Sequence, residues 1–99
     1  MNSQLFRDAV EGMHDCKAEF RETVSVEETY EGESVWSGDV YVFDLLDHPT
    51  AKVAYAWGEP KPDSENIRVF AVLQEGPVKT AADAVRASIL KDYQEQDYE

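Results

Sequence analysis

The chain is poor in everything that makes metal, disulfide or phosphate chemistry easy to read. It has one cysteine, Cys16, and two histidines, His14 and His48, among 99 residues. A lone cysteine closes no internal disulfide, so the fold must rest on its core, and a cytoplasmic setting is expected. No apolar run approaches the ~20 residues that a membrane helix needs. The start, MNSQLFRDAVEG, has no basic segment followed by an apolar block, so no secretory signal is expected. Cations are scarce as well: nine Lys and Arg stand against 21 Asp and Glu, a formal charge of −12. Such a surface repels phosphate, which argues against direct binding to nucleic acid or to an anionic membrane. It suits solubility and a basic partner.

The apolar and aromatic share is ordinary for a globular protein, and the length fits one domain spanning 1–99. Over 3–13, Leu5, Phe6, Ala9, Val10 and Met13 recur at helical spacing, with Gly12 suited to ending the helix. Over 16–30 the pattern turns to strict alternation. Cys16, Ala18, Phe20, Val24, Val26 and Tyr30 fall on one face of a predicted strand. Glu22 and Glu28 interrupt that face. An unpaired buried carboxylate is costly, so Glu22 is expected at a bulge, an edge or a paired position, and Glu28 beyond the core margin.

Glu31-Gly32-Glu33-Ser34 reads as a turn. Two strands over 35–46 and 51–58 follow, rich in Val, Tyr, Phe and Trp and broken by Asp47-His48-Pro49-Thr50. In the second, Val53, Tyr55 and Trp57 alternate with Ala54 and Ala56, and the small face invites a helix to approach closely. Glu59 to Asn66, with two prolines and no apolar residue, reads as a surface loop. A fourth strand is expected over 67–74 and a second helix over 80–94, with Thr80 and Asp83 placed as a capping box. An acidic tail from about 95 is expected to fray.

The order helix, four strands, helix predicts an α+β fold. Short connections favour an antiparallel meander. A two-layer sandwich with both helices on one face is the simplest way to bury both helical stripes.

Candidate chemistry is sparse. His14 and Cys16 form half of a zinc-type ligand set with nothing to complete it, so no metal site and no cofactor are expected. Thiol catalysis at Cys16 needs a base that the sequence does not place beside it. Glu27, Glu28, Glu31 and Glu33 surround the first turn but lack the alternating ligands and central glycine of an EF-hand calcium loop. Asp44, Asp47 and His48 gather near one hairpin end, where a carboxylate can orient an imidazole; an enzyme or small-molecule pocket there is one reading. The aromatic set is larger than one sheet face can bury. With both helices on the small-residue side, Tyr41, Tyr55 and Trp57 are expected to face outward as an interface. The reading that follows is a small acidic module that binds another protein or pairs with itself as a homodimer, without strong signs of an enzyme. An acidic mimic of nucleic acid, held by a basic protein, is a further reading that rests on charge alone.

Overall fold

The computed structural model describes residues 3–60 and 67–96. Helix α1 (Ser3–His14) leads into strands β1 (Ala18–Tyr30), β2 (Glu33–Leu45), β3 (Val53–Pro60) and β4 (Ile67–Leu73), and helix α2 (Ala81–Gln96) closes the order. The strands form one open antiparallel sheet in the order β1-β2-β3-β4, the expected meander. Among the described residues, no helix is long and apolar enough to cross a membrane.

Local chemistry explains where the elements stop. Helix α1 runs through Gly12 and ends when Asp15 takes a left-handed conformation, φ 51°. Glu31 and Gly32 both have positive φ, 54° and 83°, and link the paired residues Tyr30 and Glu33. Two left-handed residues match the twist of the flanking strands, and Gly32 takes its place without a steric penalty. At α2, Thr80 Oγ1 accepts the Asp83 amide at 3.1 Å, and Asp83 Oδ2 accepts the Lys79 amide at 3.1 Å. The acid therefore reaches one residue further back than in a standard capping box. Glu59 and Pro60 belong to β3, paired with Arg68 and Ile67, rather than to the expected loop; the rest of that loop, 61–66, lies outside the described residues. So do residues 97–99 of the expected tail, whereas α2 continues to Gln96.

The two helices lie on opposite faces of the sheet, which corrects the expectation that they share one. Phe6 and Val10 of α1 pack with Cys16, Ala18, Phe43, Ala54 and Ala56. Ala81, Ala84 and Val85 of α2 pack with Val26, Val40, Val42, Val53, Tyr55 and Trp57. The cause is register. Val42 pairs with Tyr55, and Tyr41 with Ala56, so small and large residues alternate across the hairpin instead of segregating. Each face carries enough apolar surface to need a helix.

Strand β1 serves both faces. A register shift between Phe20 and Glu22 makes Arg21 an extra residue. Before this bulge the even-numbered residues face α1; after it they face α2. Glu22, expected at such a position, is exposed beside it. Glu28 sits at the core margin and accepts from Arg86 Nε at 2.8 Å.

Candidate binding surface

The three aromatic residues expected outward are not gathered on one surface. Trp57 has no exposed area and Tyr55 is buried, both under α2, while Tyr41 is half-buried on the α1 face. Trp57 stacks on Phe70, with centroids 5.3 Å apart, and meets the edge of Trp36 at 6.1 Å. The Tyr55 hydroxyl donates to the Lys79 carbonyl at 3.1 Å and accepts from Gln74 Nε2 at 2.8 Å. Tyr41 stacks on Phe6 at 4.7 Å. Tyr55 and Trp57 are therefore core residues, and the second helix on their face is what covers them.

Asp44, Asp47 and His48 each bond elsewhere. Asp44 pairs with Arg21. Asp47 Oδ1 accepts the Lys17 amide at 2.6 Å. His48 Nδ1 accepts the amides of Ala51 at 2.9 Å and Thr50 at 3.2 Å. The three side chains pin the junctions between α1, β1 and the β2–β3 turn. Likewise His14 Nε2 donates to the Ala71 carbonyl at 2.9 Å, tying the end of α1 to β4. Cys16 is buried; desolvation chiefly, then the nearby charges of Asp47, Glu11 and Asp15, pushes its thiol pKa up. A thiol held in its neutral form is a poor nucleophile and a poor metal ligand. Among the described residues, no group of three or more His, Cys, Asp and Glu side chains is placed to hold a metal ion.

Two surfaces remain, and both arise because the β1–β2 hairpin outruns its neighbours. Each of its strands has 13 residues, against 8 in β3 and 7 in β4. Pairing of β2 with β3 ends at Tyr41 and Ala56, and beyond that point the two strands splay apart. Trp36 fills part of the resulting wedge. Its ring lies so close over Gly38 that a Cβ there would meet it at 3.2 Å. Glu59 Oε2 bridges the wedge by accepting both indole N–H groups, from Trp36 at 3.0 Å and from Trp57 at 3.1 Å. A single carboxylate oxygen thus satisfies two donors, and a smaller concavity of about 340 Å³ remains beside it, lined by Trp36, Gly38, Asp39 and Gly58.

The second surface is a groove of about 720 Å³ between the hairpin tip and α2. Tyr30, Val35, Ile89 and Leu90 supply its apolar lining, and Glu28 and Arg86 cross one side as an ion pair. Tyr30 is 68% exposed, Val35 45% and Leu90 55%. Val35 owes its place to a second bulge. The register shifts between Glu28–Trp36 and Thr29–Ser34, leaving Val35 unpaired in β2. Bulges re-aim side chains, and this one belongs to the groove lining. The other large exposed apolar side chains include Leu5 and Met13 on α1 and Leu46 beside the β2–β3 turn.

Sequence reasoning missed these groove residues, although two signals pointed to them. The first hairpin is longer than strands β3 and β4 can cover. Leu90 is an apolar residue off the stripe formed by Ala81, Ala84, Val85, Ser88 and Ile89. Comparison with known protein families, curated proteins and solved structures finds no match to this chain.

Proposed function

We propose that the chain is a protein-binding module that holds a segment of another protein in the groove between the β1–β2 hairpin and α2. One observation carries this reading: Tyr30, Val35 and Leu90, from three different elements, leave their apolar surface open around a single concavity. Both sheet faces already hold a helix, so the groove offers apolar surface that the fold itself does not use. A concavity of this volume lies in the range of functional binding sites, ~300–1,000 Å³. Self-association, the other form of this reading, has to bring two chains of charge −12 together, with an acidic hairpin tip beside each groove.

Isopropanol titrated into the ¹⁵N-labelled protein is an apolar probe of the surface. The expected result is saturable shifts at Tyr30, Val35, Ile89 and Leu90. Leu90→Gln removes those shifts while changing stability by less than about 1 kcal/mol, because the side chain is more than half exposed. Shifts centred instead on Leu5 and Met13, or spread evenly over the surface, contradict the reading.

A further inference from the structure

We infer that the segment held in the groove is basic and amphipathic, with apolar side chains in the cleft and Lys or Arg against the hairpin tip. The inference rests on the reading of the groove as a binding surface and adds the chemistry of its partner. From Glu27 to Glu33 the sequence carries four glutamates and no cation. Only Glu28 is neutralised, by Arg86, which is itself 3.6 Å from Asp83. Glu31 and Glu33 make no ion pair among the described residues and both are exposed, while Glu27 is on the sheet face away from α2. Arg86, the one cation among the described lining residues, is therefore already engaged, and the unpaired carboxylates Glu31 and Glu33 sit at the hairpin turn next to the lining residue Tyr30.

An apolar cleft next to an anionic turn favours a ligand that is apolar on one side and cationic on the other. Its charges speed encounter and reject acidic competitors, and its apolar side chains hold it in place. A second copy of this chain offers exposed apolar side chains but brings another anionic hairpin tip in place of a cationic side.

The test uses the full chain and two amidated probe peptides, LKKLLKLLKKLLKL and its analogue with glutamine at every lysine, followed by NMR. The basic peptide is expected to shift Tyr30, Val35 and Leu90 saturably and to bind at least about tenfold more tightly than the glutamine analogue. Its affinity is expected to fall severalfold between roughly 0.05 and 0.5 M salt, because the charges at the turn are screened. Leu90→Gln and Val35→Ser, both neutral replacements at exposed sites, are each expected to weaken it severalfold. Equal affinity of the two peptides at the same groove residues overturns the charge inference and leaves the groove standing. Basic-peptide binding that is indifferent to both substitutions, or binding of neither peptide at the groove, overturns the groove reading itself. A dimer in sedimentation that Leu90→Gln dissociates assigns the groove to a second copy and overturns the basic partner.

Discussion

Replacing Trp57 by alanine is expected to lower the unfolding free energy by about 3–5 kcal/mol, the range for deleting a large buried aromatic side chain. The indole is fully buried between Phe70 and Trp36, and the covering helix α2 brings Ala84 and Val85 to the same cluster. Alanine leaves a cavity that the stacked neighbours fill only in part. It also removes one of the two donors that hold Glu59 across the wedge between β2 and β3. A domain of this size has about 5–15 kcal/mol in all, so the variant stands near the limit of folding. Urea denaturation measures the loss. A loss below about 1 kcal/mol, combined with a change in association state, contradicts the assignment of Trp57 to the core and restores it as an interface residue.

Phe6→Ala is expected to cost a comparable amount, about 3–4 kcal/mol, on the opposite face of the sheet. Phe6 and Val10 are the buried side chains of α1, and Phe6 also stacks on Tyr41. Removing the ring takes away one of the two buried side chains that seat the helix on the sheet. The distinguishing readout is local. Amide hydrogen exchange is expected to accelerate in α1 well before it does in β2 and β3, since the α2 face is untouched. Uniform acceleration across the molecule contradicts the picture of two separately packed faces.

The elements and their order were legible because α1 and β1 have a strong period and polar turns separate the strands. Leu5, Phe6, Ala9, Val10 and Met13 can form only a helical stripe, and the alternation from Cys16 to Tyr30 can form only a strand. Which residues share a face was not legible, because that depends on parity across turns and bulges. The extra residue at Arg21 sends Phe20 and Val24 to opposite faces although both have even numbers. The connection between Leu45 and Val53 sets Tyr41 beside Ala56, where the pattern alone suggested Tyr55 or Trp57 as its neighbours. A shift of one residue exchanges the faces completely. That shift brings α2 onto Tyr55 and Trp57, and so moves the uncovered apolar surface from the sheet face to the hairpin tip. The smallness of Ala54 and Ala56 was read correctly as a helix seat, and α1 occupies it. The partners of the polar cluster were not legible for a related reason. Asp44, Asp47 and His48 are close in sequence, but a turn of this length directs each to a different backbone or side-chain partner.

The placement of the helices is the point on which both the buried Trp57 and the open groove depend, and nuclear Overhauser contacts test it most directly. The arrangement predicts contacts from the Phe6 ring to Tyr41 and to the methyls of Ala54 and Ala56. It also predicts contacts from the Tyr55 and Trp57 rings to the methyls of Ala84 and Val85. Contacts from Phe6 to Val40, Val42 or Trp57, or the absence of any contact between α2 and the Trp57 face, place the helices together on one side and contradict the account.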